Sequence, residues 1–268
     1  MFKPEDMRGV IARGLRDLPP DRVPVISSEI LSGHPFFGGI GSDVYAHRLH
    51  EIVPAARILV TVRSQLPILR SVYMQYLLRG GTMSAKAFFA GDRELGFHGF
   101  RAEHFEYHRL VALYRHLFGA ENVLVLSQEG LKADLDGAAR RIACFAGNAT
   151  FDRLSAADGA AYSPSYPEYA APILRQINKF QQSVLNPAPV LGIGRTPKGF
   201  YRLVGGIMRR PPFSWLLRRY RPISRHVEKT FTGRYEESNR ALYEMLDGDV
   251  ALPLGGANPE VAAGSRTA

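Results

Sequence analysis

The stretch ILVTVRSQLPILRSVYMQYLLRGG, residues 58–81, decides the fold. Residues 58–62 form an unbroken apolar, β-branched run, the pattern of a strand buried on both faces of a parallel sheet. Pro67 fits the first turn of a helix, where its missing N–H costs little. Leu69, Val72, Tyr73, Tyr76 and Leu77 recur at helical spacing, and Gly80 with Gly81 can close the helix. The reading is a strand and a following helix, with Arg63 at the strand's carboxyl end and Ser71 eight residues later on the helix. Open α/β sheets bind phosphate-bearing ligands at such a junction, and a guanidinium and a hydroxyl both suit phosphate oxygens.

Working outward, residues 23–31 (VPVISSEIL) read as an apolar strand ending in Ser27, Ser28 and Glu29. Residues 37–42 (FGGIGS) read as a flexible turn, and 43–52 as a helix with Pro54 at its exit. Residues 82–100 read as an aromatic-rich helix and loop, suited to the wall of an acceptor site. Residues 103–118 give an amphipathic helix with Leu110, Leu113, Tyr114 and Leu117 on one side. Gly119 ends it, and 122–126 (NVLVL) form a second buried-type strand. SQEGLKAD then leads into a helix closing on CFAG, residues 144–147, with Cys144 on its apolar side as a core residue. Residues 231–250 hold a last helix and a short GDV exit, and 254–268 read as a disordered tail of small and polar residues. His104 and His108 stand one turn apart beside Glu103 and Glu106, which reads as structural.

This order of motifs resembles the sulfotransferase family, which takes sulfate from 3′-phosphoadenosine 5′-phosphosulfate (PAPS). In that family an Arg at a strand end and a Ser eight residues on, close to an aromatic, hold the nucleotide's 3′-phosphate; Arg63, Ser71 and Tyr73 match that pattern. The Ser-Ser-Glu strand end upstream and the closing strand–helix unit downstream are similar to bacterial members. The resemblance covers residues 22–150, and more loosely 228–250. It implies a three-layer, P-loop-like α/β fold with a central parallel sheet flanked by helices, in a single domain over residues 1–253. It also implies that the loop GIGRTPKGFYR, residues 192–202, closes over the nucleotide through Arg195, Lys198 and Gly199.

The reaction implied is in-line transfer of a sulfuryl group from PAPS, as co-substrate, to a hydroxyl of a carbohydrate or glycolipid, with no metal required. The candidate bases are Glu29 and His34, near the mouth of the first strand. The family also opens with a strand and a Gly/Thr/Ser loop carrying a Lys, which cradles the 5′-phosphosulfate. No such strand and loop precede Pro24, and Lys3, followed by Pro4 and two acids, is not that Lys. The resemblance therefore implies that half of the donor site is missing from this polypeptide, either because it starts downstream of that loop or because the loop was lost. A catalytically impaired remnant of the fold, binding an anionic glycan or a membrane surface, is the alternative.

Composition bounds the rest. A chain of 268 residues, 46% hydrophobic, can bury a substantial core as one enzyme-sized domain. A single cysteine excludes an internal disulfide and a Cys-based metal cluster. With no long apolar window and no signal-peptide pattern, a cytoplasmic protein is expected, membrane-associated if its basic region lies on a bilayer. Between residues 195 and 235 there are eleven Lys/Arg and one acid, Glu228, against a total net charge of +9. This basic, helical region, 195–250, has three readings. It attracts the nucleotide and an anionic acceptor; or its segment 203–221, mixing Trp215, Phe213 and leucines with arginine pairs, lies on an anionic membrane; or it is a solvated basic face. Nucleic acid is not an expected partner, because the chain carries no recognised reading motif.

Overall fold

The computed structural model describes residues 2–19, 22–155, 166–195 and 200–246. Lys198, Gly199, the exit at 248–250 and the tail at 254–268 lie outside the described residues. The described chain is mixed α/β, mostly helical, with one two-stranded parallel sheet. In order it runs α1 (Pro4–Leu15), α2 (Ser42–Ile52), β1 (Ile58–Val62), α3 (Gln65–Leu78), α4 (Ala85–Phe89), α5 (Tyr107–Phe118) and β2 (Val123–Ser127). It continues through α6 (Gln128–Ala133), α7 (Leu135–Ala146), α8 (Ala171–Asn178), α9 (Phe200–Met208), α10 (Phe213–Leu216), α11 (Pro222–Phe231) and α12 (Glu236–Met245).

The strand–helix unit forms where residues 58–81 predict it. β1 pairs with β2 in parallel, from Ile58 opposite Val123 to Val62 opposite Ser127, so both carboxyl ends open on one side. The burial differs from expectation. Val62, Val123 and Val125 pack with Ala46, Val111, Tyr114, Phe118 and Leu242 in a core under the sheet. Leu59, on the opposite face of β1, is 41% exposed. Side chains alternate across a strand, so only one face of β1 is covered.

A second core is built from helices and aromatics: Leu69, Tyr73, Tyr76 and Leu77 of α3 meet Phe88 and Phe89 of α4, Phe97, Phe100, Leu174 of α8 and Phe231 of α11. Phe88, Phe89, Phe97 and Phe100, from the stretch read as an acceptor wall, are therefore core residues. Rings here pair tilted and edge-on, as with Phe88 and Tyr76 at 4.8 Å between centroids.

Residues 23–31 do not form a strand. Residues 22–28 have no ladder partner and 29–32 form a 3-10 turn, with Val25 80% exposed. A strand exists only through a ladder of hydrogen bonds to a neighbouring strand, and residues 22–28 make none with a described segment. The glycine turn at 38–41 is fixed rather than loose. Gly39, at φ +67°, lies so close to His104 that a Cβ would stand 2.3 Å from the imidazole Nδ1. The predicted helix at 103–118 is split: Ala102–Phe105 is a 3-10 turn that seats His104 against Gly39, and α5 starts at Tyr107.

α7 begins and ends on local chemistry visible in the sequence. Asp134 Oδ1 accepts the Gly137 N–H at 2.8 Å, and Gly137 leaves room, since a Cβ there would meet the carboxylate at 2.0 Å. Gly147, at φ +76°, turns the chain out of the last turn. Asp134→Ala is expected to cost about 1 kcal/mol in urea unfolding, and Asp134→Ser much less. Cys144 on this helix is exposed, which corrects its expected place in the core.

Candidate functional site

The side chains predicted to hold phosphate belong to the β1–α3 junction. Pro67 is the third residue of α3, where a helix N–H has no intrahelical acceptor, so its missing donor costs little. The Arg63 carbonyl, just before the cap residue Ser64, accepts from the Tyr107 hydroxyl at the start of α5 at 2.9 Å. Burial raises the Tyr107 pKa above the usual phenol range, so the proton stays in place; Glu129 pushes it further in that direction and Arg63 opposes. Both charges therefore lie in the neighbourhood of this phenol.

Glu129 is the second residue of α6, just past the end of β2. Its Oε1 accepts the Ser64 N–H at 3.1 Å, which couples the two strand ends through a carboxylate. Its Oε2 and the Gln128 Oε1 are buried acceptors without a protein donor. Behind the junction, Gln65 Nε2 donates to Asn239 Oδ1 at 2.6 Å and Asn239 Nδ2 returns a bond to Gln65 Oε1 at 3.3 Å. This buried amide pair fixes the first turn of α3 on α12. The junction is therefore a braced polar corner at the carboxyl ends of both parallel strands.

Ser71 sits on the open stripe of α3 with Pro67 and Gln75, while Leu69, Val72, Tyr73 and Tyr76 face the core. Its hydroxyl donates to the Pro67 carbonyl at 3.2 Å. Pro67 and Ser71 are one turn apart on α3, and Arg63 lies between the end of β1 and the cap residue Ser64. Glu129 takes the Ser64 amide, and its carboxylate would repel an anion at this corner, a repulsion that Arg63 has to offset.

The other sequence candidates are placed elsewhere. His34 Nδ1 accepts the Phe36 N–H at 3.1 Å, and Phe36 packs edge-on against Tyr76 with Arg79 over its ring. His34 is thus anchored beside the last turns of α3, whereas Arg63 precedes the first; the helix between is about 20 Å long. Burial, then Arg79, lowers the His34 pKa, with Glu29 opposing. A neutral imidazole accepting at Nδ1 carries its proton on Nε2, which makes this ring a donor there. Glu29 is exposed on the 3-10 turn that follows Ser28. Arg195 donates through Nε to Gln182 at 3.0 Å, and the neighbouring Ser183 lies against Gly80, beyond the carboxyl end of α3. The structure does not bring Arg195 to the Arg63 corner.

Sequence reasoning missed Tyr107 and the Gln65–Asn239 pair as site residues, and placed Glu129 only in the order of motifs. No local signal points to them, because Tyr107 and Asn239 reach the corner from distant elements. A separate shallow cleft of about 270 Å³ is lined by Phe89, Phe100, Arg101, Glu103, Phe231 and Arg234. Phe89 and Phe100, from the stretch read as an acceptor wall, line it, and its Arg234 and Glu103 are paired at 3.0 Å. Among the described residues no group of three His, Cys, Asp or Glu could hold a metal ion. No protein-family model, curated protein or solved structure matches this chain.

Proposed function

We propose that the β1–α3 corner holds the 3′-phosphate of PAPS and that the chain is a sulfotransferase acting on a carbohydrate or glycolipid hydroxyl. The observation that carries this reading is the parallel strand end with Arg63 beside a helix whose open stripe presents Ser71. On this reading the two-stranded unit is part of a three-layer, P-loop-like fold. Arg63 neutralises the phosphate and Ser71 turns its hydroxyl from Pro67 to a phosphate oxygen. Gln128 and Glu129 offer buried acceptors to hydroxyl or amino groups of the nucleotide. Bound PAPS would supply the sulfuryl group. Glu29 is the base candidate compatible with the tautomer that Phe36 sets on His34.

The test is thermal unfolding with 3′-phosphoadenosine 5′-phosphate. A tenfold excess over Kd is expected to raise Tm by roughly 3–5 °C. Adenosine 5′-phosphate, lacking the 3′ group, should shift it far less, and Arg63→Ala should remove the effect. An unshifted wild-type curve at millimolar nucleotide would sink the proposal. The second reading, a remnant of the fold that binds an anionic surface, is favoured by the exposed basic region alone.

A further inference from the structure

Helix α9 is apolar on two sides. Val204 and Met208 pack into the aromatic core, and Tyr169 donates its hydroxyl to the Met208 carbonyl at 2.8 Å. Leu203 and Ile207, one turn apart, point the other way and are exposed. The neighbouring α10 continues this second surface: Trp215 is 73% exposed and Leu216 62%, while Leu217 is packed on the core. Trp and Leu rarely stand this far into water in adjacent positions, and α9 packs against α10.

The charges carried by this segment are of one sign, and a neighbouring carboxylate, Glu168, pairs with its Arg221 at 3.5 Å. Residues 200–227 contain seven arginines and not one carboxylate. Arg210 precedes α10, and Arg218 with Arg219 follows it, all three exposed, so cations flank the apolar side chains on both ends. A protein partner with an apolar pocket would leave these flanking cations to its rim. A bilayer matches the whole pattern: acyl chains for Leu203, Ile207 and Leu216, the interfacial zone for Trp215, and anionic headgroups for the arginines.

We propose that α9 and α10 form an interfacial site by which the protein lies on an anionic lipid surface, with Trp215 and Leu216 inserted and Arg210, Arg218 and Arg219 on the headgroups. The site is independent of the nucleotide corner and stands or falls separately.

Trp215 is the sole tryptophan of the chain, so its emission reports on this surface without labelling. On titration with vesicles of phosphatidylcholine and phosphatidylglycerol, the emission is expected to shift to the blue, lose accessibility to aqueous iodide and track co-sedimentation of the full chain. Vesicles of phosphatidylcholine alone should bind far less. Arg218→Gln with Arg219→Gln should weaken the partition coefficient roughly 30-fold, and Leu216→Ser roughly tenfold. Both changes are at exposed positions, so circular dichroism should be unaltered. Unchanged emission at saturating anionic lipid overturns the proposal. A blue shift that grows with protein concentration without lipid also overturns it, by assigning the surface to a second copy. Binding to heparin with no vesicle response overturns it in favour of an anionic glycan.

Discussion

Tyr76→Phe is expected to destabilise the protein by about 2–4 kcal/mol, a large loss for the removal of one oxygen. Tyr76 is fully buried. Its hydroxyl accepts the N–H of Thr82 at 2.9 Å and of Met83 at 2.8 Å, satisfying the two amides of the chain just past Gly81. Phenylalanine would leave both donors buried without an acceptor, at about 1–3 kcal/mol each. The turn itself is shaped to the ring, because a Cβ on Gly81 would stand 2.1 Å from Tyr76. Phe36, Phe88, Phe97 and Tyr73 surround the ring. Burial raises the phenol pKa beyond its usual range, so the group stays protonated at any working pH. Tyr73→Phe is the internal comparison. Its hydroxyl donates once, to the Met83 carbonyl at 3.0 Å, and its loss should cost about 1 kcal/mol. Urea unfolding of the three proteins decides the matter, and equal midpoints for wild type and Tyr76→Phe would refute the argument.

Tyr76 also illustrates what a sequence makes legible. Its place on the buried stripe of α3 follows from spacing, as do β1, β2, α2 and the end of α7, where periodicity and glycine punctuation are local. Its hydroxyl's partners follow only from the turn beyond Gly81. The aromatics at 88, 89, 97 and 100 have no shared period, so nothing in the sequence separates a core from a binding wall. Val23 to Ile26 have strand composition, yet a strand needs an adjacent edge. Composition is silent on whether that edge is there. At the candidate site, Arg63 and Ser71 are legible because both belong to one strand–helix unit. Tyr107 reaches the corner from 44 residues away, and Glu129 from 66. Arg195 reads like a partner of Arg63 by type and by its glycines, but the packing of Ser183 on Gly80 fixes it past the other end of α3.

Acidification from pH 7 to pH 5 is expected to remove about 2 kcal/mol of stability through His104 alone. The glycine turn makes this so. With Gly39 seated on its Nδ1, the His104 ring is shut away from water by backbone on one side and pairs edge-on with Phe105 on another, at 5.1 Å between centroids. Burial pushes its pKa down to about 4, and the cationic form of His34 adds to the shift. The unfolded chain has an ordinary histidine, near 6.5. Between these values the unfolded state binds the proton and the folded state does not, so stability rises with pH across the window. It is complete above about 6.5 and is lost as the pH falls toward 4. His34 and His226, both lowered first by burial, act in the same direction. Glu94 opposes them, because burial raises its carboxyl and favours protonation in the folded state. His104→Gln removes the titration while keeping a polar side chain of similar reach. The variant should start less stable at pH 7 and lose about 2 kcal/mol less than wild type on going to pH 5, read from urea midpoints. Parallel pH profiles for the two proteins would mean that the ring is already hydrated, and that the turn at Gly39 does not close on it.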